Sequence, residues 1–284
     1  MSTRSGRGAA RQIGEKLIRG LRSRNHLVSV RLVGDVRRAR AQLVREVRGL
    51  PCLIGIGGDH TLSELGRVAR EARLPLLPVP AGFGNIFAGA FGWRSTVPAV
   101  TEALEHGRIE VVDAGLDGED LFLANQGFGF LERVQLAVET SGAPPRERWR
   151  RYHRYVRAAF RSIACTPLPA LRVDVDGEPI ADRAPLVIVA NVPTYRRFMP
   201  LVTDASPLDG LLDVFVAPVL SKSSLIAWLL GTLVRAPGCP RDVVRRRSAH
   251  VTITEGARRH DIVVVPDAVP VLLPARRRRA RTVA

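Results

Sequence analysis

The sequence predicts an α/β domain built on a doubly wound parallel sheet, followed by a domain that is largely antiparallel β. Two observations predict this. Between Leu53 and Phe91 an apolar strand, a glycine turn and a helix start occur twice in succession, the alternation that builds a parallel sheet. After about Gly107 the rhythm changes to short β-type runs, most of them separated by Gly, Pro and Asp turns. With 284 residues, 46% of them hydrophobic, the chain has material for two domains with full cores. The composition shifts place them at residues 1–107 and 108–274, with a basic tail at 275–284.

The elements follow in order. A Ser-Gly-Arg-Gly turn opens the chain, and Ile13, Leu17, Ile18 and Leu21 then recur at helical spacing. The start is polar and basic without an apolar h-region, so no secretory signal is read. His26 to Val33 alternates as a strand, and Val36 to Val47 sets Val36, Ala39, Leu43 and Val47 on one helical face. The first glycine unit runs from the strand Leu53-Ile54-Gly55-Ile56 through Gly57-Gly58-Asp59-His60-Thr61 and on through Leu62-Ser63-Glu64. Thr61 with Glu64 three residues later reads as a capping box, which predicts a helix start at Thr61. The second unit runs from the strand Leu74 to Pro80 through Ala81-Gly82-Phe83-Gly84-Asn85 into Ile86-Phe87-Ala88.

In the second domain Ile109–Asp113, Leu121–Asn125, Leu171–Val175, Leu186–Asn191, Leu212–Ala217, His250–Thr254 and Asp261–Val265 read as strands. Asp174 to Glu178 reads as a hairpin turn. Two helical patterns interrupt them. Arg146 to Ile163 sets Trp149, Tyr152, Val156, Phe160 and Ile163 on one face amid arginines, and Ser221 to Val234 is the other. The first reads as a helix packed on a sheet, with a membrane-surface helix as the alternative. The longest apolar run, Leu225 to Val234, has half the length of a membrane span.

A net charge of +16 invites a nucleic-acid or anionic-membrane reading. All but two of the 43 basic residues are arginine, and Ala and Pro are plentiful too, so composition bias accounts for much of the charge. No zinc-finger spacing, aromatic RNA-binding signature or recognition helix accompanies it, and no nucleic-acid partner is expected. The arginine-rich tail reads as a disordered basic end with weak attraction to anionic lipid. Cys52, Cys165 and Cys239 are odd in number and lack Cys-x-x-Cys spacing, which points to a reduced cytoplasmic protein without a thiolate metal site. His-Glu-x-x-His, Gly-x-Ser-x-Gly and Walker-type P-loop patterns are absent, so zinc hydrolase, serine hydrolase and P-loop readings have no support.

The tandem glycine loops carry the chemistry. Glycines let a backbone approach a ligand closely, and a helix start beyond them adds unpaired N–H groups and the positive end of the dipole. Two such loops at the carboxyl ends of neighbouring parallel strands open onto one crevice, where open α/β sheets bind ligands. With the carboxylate of Asp59 held inside the first loop, the pattern reads as a phosphate-binding nucleotide site. The bland alternative is a pair of ordinary strand-to-helix turns.

With these residues placed, most of the chain resembles the diacylglycerol-kinase catalytic-domain family, the bacterial lipid kinases related to sphingosine kinases. Gly57-Gly58-Asp59-His60-Thr61 is similar to the family's Gly-Gly-Asp-Gly-Thr loop, and Pro80 to Ala88 to its Pro-x-Gly-Thr-Gly-Asn-Asp-Phe-Ala loop. Asn125 to Val134 resembles the Asn-x-x-Gly-x-Gly-Phe segment. Asn191 to Ala205, followed by Leu208-Asp209-Gly210-Leu211-Leu212-Asp213, resembles the late Asp-Gly-x-Leu-Asp signature. The resemblance implies a Rossmann-like nucleotide domain, a C-terminal antiparallel β-sandwich and ATP-dependent phosphoryl transfer to the hydroxyl of a lipid such as diacylglycerol at a membrane. It implies nucleotide contacts from Gly57, Gly58, Asp59, His60, Thr61, Leu62, Ser63, Gly82, Phe83, Gly84 and Asn85. Asp59 is then either the orienter of Mg2+ or the base, and Asp209, with backbone oxygens near Ser206 and Leu211, matches a structural magnesium site. Implied surroundings are the cytoplasm or the inner membrane face, with peripheral contact to anionic lipid; a homodimer is left open.

The departures from the pattern define a second reading. His60 replaces a glycine, where an imidazole either donates to a phosphate or blocks the pocket. Phe83 replaces a threonine, while Ile86 and Leu131 replace aspartates. The chain begins inside what would be the family's first loop, without the initial strand and its Asn-Pro. The late Asp-Gly-Glu that supplies a base in bacterial members is absent; Glu255, the nearest acid, is the second candidate, with Asp59, for the acid–base and metal roles. The alternative to a kinase is therefore a degenerate member that binds nucleotide or anionic lipid without efficient transfer.

Overall fold

The computed structural model describes residues 9–82, 84–141, 148–193, 204–217, 221–233 and 244–275. The chain divides into two compact units, residues 1–111 with 269–284, and residues 112–268. The expected N-terminal turn, Phe83, part of the Asn191 to Ala205 segment, Cys239 and the basic tail beyond residue 275 lie outside the described residues, as do the side chains of Trp149 and Tyr152.

The first unit contains α1 (Ala9–Arg22), α2 (Val36–Val47), β1 (Leu53–Gly57), α3 (Asp59–Ala72), β2 (Leu76–Pro80), α4 (Ile86–Ala90), α5 (Val97–His106) and the start of β3 (Arg108–Asp117). Ala10, Leu17 and Leu21 recur on one face of α1 and are buried with Ile56, Leu62, Leu77, Val79 and Val100 in one core. Asp35 caps α2, its side chain accepting the N–H of Arg38 at 3.2 Å. β1 and β2 pair in parallel, from Leu53 opposite Leu76 to Gly57 opposite Pro80, which brings both glycine turns to the same edge. The expected strand at His26 to Val33 does not form. Val28 and Val30 do turn inward, but the stretch has no ladder partner over residues 26–32 among the described residues, and Leu27 is exposed. Local groups take up part of its backbone instead: the Val28 carbonyl accepts from the Arg22 guanidinium at 3.2 Å, and the His26 N–H donates to the Leu21 carbonyl at 3.1 Å.

The second unit continues β3 and adds β4 (Asp120–Phe122), β5 (Asn125–Gly129), α6 (Phe130–Thr140), α7 (Arg148–Cys165), β6 (Leu171–Val175), β7 (Glu178–Ala184), β8 (Leu186–Ala190), β9 (Leu212–Ala217), α8 (Lys222–Leu233), β10 (Val244–Ser248), β11 (His250–Glu255) and β12 (Arg258–Leu273). β12, β11, β6 and β7 pair antiparallel in sequence. β10, β9, β8 and β5 form a second antiparallel sheet. Val187 and Val189 of β8 join Val173, Val175, Val251 and Ile253 in the core between the sheets. Leu186, Ile188 and Ala190 of the same strand turn the other way, against Phe130, Ala159, Ile163 and Leu225 of the helices. Period-two alternation explains how one strand serves both layers, and why all five of its residues are buried. This is the expected β-sandwich with a helical layer.

Two boundaries differ from the sequence expectation. The first unit runs to residue 111 rather than 107, and residues 269–273 belong with it rather than with the β domain. The reason is the length of β12, whose far end pairs in parallel with β2 at Val271 opposite Leu76. The sequence also misses β10, because Val-Arg-Arg-Arg-Ser carries no apolar alternation.

Candidate active site

The first glycine corner is tighter than the capping-box reading allows. α3 begins at Asp59, not Thr61, with Gly58 as its N-cap in extended backbone. Thr61 therefore sits inside the first turn, and a Cβ at Gly57 would lie 2.5 Å from its Cβ, so glycine at 57 lets the strand end pack on the helix. The first helical bond runs from the N–H of Leu62 to the carbonyl of Gly58 at 2.9 Å. The N–H groups of Gly58, Asp59 and His60 precede it and have no intrahelical acceptor, the arrangement that favours an anion at a helix start.

The second corner is locked onto the first. The N–H of Ala81 donates to the carbonyl of Gly57 at 2.8 Å. A Cβ on Gly82 would stand 2.6 Å from Cα of Gly58, so the two glycine backbones are in contact. Asn85 adopts the left-handed conformation at φ 49° and bonds Gly82 twice, Oδ1 accepting its N–H at 2.7 Å and Nδ2 donating to its carbonyl at 2.9 Å. Asp59 crosses from one corner to the other. Its Oδ1 accepts the N–H of Phe87 at 2.9 Å, and a Cβ on Gly84 would meet its Oδ2 at 3.0 Å. Burial pushes the Asp59 carboxyl above the usual aspartate value, while the backbone N–H groups of Phe87, Ile86 and Asn85 oppose that rise.

In the second unit, Glu255 ends β11 and pairs with Arg133, Nη2 to Oε1 at 2.6 Å, while Arg133 also donates to the carbonyl of Pro167 at 2.9 Å. Asp209 accepts the N–H of Leu211 on Oδ1 at 3.2 Å and the guanidinium of Arg247 on Oδ2. Arg247 also reaches Asp213, Nε to Oδ1 at 3.8 Å. Burial raises the carboxyl of Asp213, with Asp209 and Asp204 adding to the rise and Arg247 opposing it. The turn carrying Asp209 hangs on the buried Asp113. The Asp113 N–H donates to Pro207, and its carboxylate accepts the N–H groups of Gly210 at 2.8 Å and Asp267 at 2.9 Å.

Residues 1–116 match the family model described as diacylglycerol kinase catalytic domain, and residues 133–269 match the YegS C-terminal NAD kinase beta sandwich-like domain. Residues 1–116 thus carry the diacylglycerol kinase catalytic domain, and the two matches together span most of the chain. A diacylglycerol kinase of Mycobacterium tuberculosis is 28% identical over 255 residues, covering 87% of this chain and 82% of that protein. A crystal structure of a diacylglycerol kinase from Bacillus anthracis shares the fold, with a TM-score of 0.65 at 16% identity over 96% of this chain and 94% of that one. The catalytic-domain match and the kinase-named relatives place the chain among enzymes, in the lipid-kinase class.

Against the family pattern, the sequence-predicted residues sort by unit. Gly57, Gly58, Asp59, His60, Thr61, Gly82, Gly84 and Asn85 are brought together at the two corners of the first unit; Phe83 lies outside the described residues. Leu62 and Ser63 are buried in α3 and the Leu62 N–H is already bonded, so Leu62 is corrected from a nucleotide contact to a core residue. His60 takes an ordinary helical conformation with an exposed side chain, which removes the backbone strain expected of a residue in a glycine's place. Glu255 belongs to the second unit and Asp59 to the first.

The magnesium site implied near Ser206, Asp209 and Leu211 does not fit the side chains present. Both oxygens of Asp209 already accept from donors of this chain, one of them the Arg247 guanidinium. Asp113 is the organising residue that sequence reading missed. Its partners lie 97 and 154 residues along the chain, and no local signal marks them.

Proposed function

We propose that this chain is an ATP-dependent lipid kinase that transfers the γ-phosphoryl group of ATP to the hydroxyl of a lipid such as diacylglycerol. The observation that carries the reading is the Asp59 carboxylate, bonded across two interlocked glycine corners beside the N–H groups of Gly58, Asp59 and His60. Those N–H groups hold the nucleotide phosphates with little reorganisation, because α3 fixes their direction. Asp59 either accepts the proton of the attacking hydroxyl or orients Mg2+, and burial, by raising its pKa, makes it a stronger base than an ordinary aspartate. Bound magnesium supplies neutralisation of the charge that develops on the transferred group. The lipid is met at the cytoplasmic membrane face, where the excess of arginine favours peripheral contact with anionic headgroups.

The test is phosphorylation of diacylglycerol in mixed micelles with ATP and magnesium. Turnover is expected in the natural chain and abolished in Asp59→Asn; unchanged turnover in the variant sinks the assignment. One observation favours a second reading, a degenerate member that binds nucleotide or anionic lipid without efficient transfer. Glu255, nearest to the family's late base, is already engaged by Arg133. Saturable ATP binding in calorimetry with no turnover on any lipid alcohol selects that reading. Binding that appears only in His60→Gly assigns the block to the imidazole.

A further inference from the structure

We propose that Arg247 stands in for a structural divalent cation, so that the β-sandwich unit holds its late Asp-Gly-Leu-Leu-Asp turn without magnesium. β10 and β9 pair antiparallel with Arg247 directly opposite Asp213, so the sheet itself, rather than a mobile loop, delivers the guanidinium to this position. From there it bonds Oδ2 of Asp209 and lies 3.8 Å from Oδ1 of Asp213, bridging the two carboxylates. The remaining oxygen of Asp209 accepts the N–H of Leu211.

The position of Asp209 is fixed independently of any ion. Asp113 is 2% exposed, and it ties both Pro207 and Gly210 at the two ends of the turn. A divalent ion would therefore have to displace the guanidinium from Asp209, or sit beside it as a like charge. Asp204 and Arg245 add one charge of each sign nearby and leave that balance unaltered. Arg247 thus offsets one of the two carboxylate charges with a covalently attached cation, always charged at any physiological pH.

The experiment is thermal unfolding of the full chain without nucleotide, in chelator and in magnesium chloride, with calorimetric titration of the same ion. The wild type is expected to show the same Tm in both and no saturable uptake. Arg247→Gln is expected to lose about 2–4 °C in chelator, a shift readable in a chain of this size, and to recover it with magnesium. A wild-type Tm that rises with magnesium, or saturable binding abolished by Asp209→Asn, overturns the proposal. So does an Arg247→Gln loss that magnesium fails to restore. If Arg247→Gln does not fold, the wild-type and Asp209→Asn titrations decide alone. No nucleotide or turnover enters the readout, so the result is independent of the kinase reading.

Discussion

Replacing Gly82 by alanine tests the interlocked corners directly. The added methyl would lie 2.6 Å from Cα of Gly58, 3.0 Å from Oδ1 of Asn85 and 3.3 Å from the Gly58 nitrogen. Gly82 is not at positive φ, so the cost is contact rather than conformation. Carbon atoms attract at about 3.5–4.0 Å, so the two backbones must part by about 1 Å. The Ala81 to Gly57 hydrogen bond at 2.8 Å resists that separation. Overpacking of this kind costs about 1–3 kcal/mol, and each kcal/mol lowers Tm by roughly 2–4 °C at this size. A shift of about 1 Å in groups that position a reacting phosphate costs on the order of 10²-fold in rate.

The assay pairs thermal unfolding with the micellar lipid-kinase reaction. Gly58→Ala is the control, since its methyl would stand 3.3 Å from Cα of Gly82, a contact that small shifts relieve. The expected order is a clear loss of Tm and turnover in Gly82→Ala and a smaller Tm change in Gly58→Ala. Equal Tm for Gly82→Ala and wild type refutes the backbone contact. Normal Tm with lost turnover in Gly58→Ala would instead place the ligand against Gly58.

Three further outcomes are expected. Burial raises the Asp59 carboxyl, so the folded chain keeps that proton to higher pH than the unfolded chain; its stabilising effect is present in acid and lost as pH rises through the raised value. Turnover needs the ionised form, so kcat/KM falls on acidification through that value, and Asp59→Asn, with stability within about 1 kcal/mol of wild type at neutral pH, removes the stability dependence; a flat activity profile for the natural chain contradicts Asp59 as the base. Glu255→Gln lowers kcat by about 10²–10⁴ if Glu255 acts as the acid–base group, whereas unchanged kcat with slightly lowered Tm assigns it to its partly exposed pair with Arg133. Asp113→Ala strips acceptors from the N–H groups of Gly210 and Asp267, a loss of about 1–3 kcal/mol each, read by chemical denaturation; a loss under ~1 kcal/mol would mean water replaces the carboxylate.

The glycine corners were legible because their chemistry is local. Gly57-Gly58-Asp59 and Gly82-x-Gly84-Asn85 follow apolar runs of strand length, and short-range sterics alone make such turns. The alternation of Leu186 to Ala190 and the spacing of Leu17 and Leu21 likewise declared their elements. What failed were inferences whose deciding partner is distant in sequence. The crossing of the Asp59 carboxylate to the Phe87 N–H, 28 residues on, left no trace in the sequence around Asp59. His26 to Val33 alternates but has no ladder partner over residues 26–32 among the described residues, and β10 pairs with β9 although its arginines hide it. By itself the sequence determined the two-domain order, the strand-turn-helix corners and the family to which they point. Only the tertiary structure decided that the two glycines touch, that Asp113 holds the late turn and that Arg247 meets Asp209, because hydrogen bonds and charge pairs depend on distances that loop closure sets and no local pattern encodes.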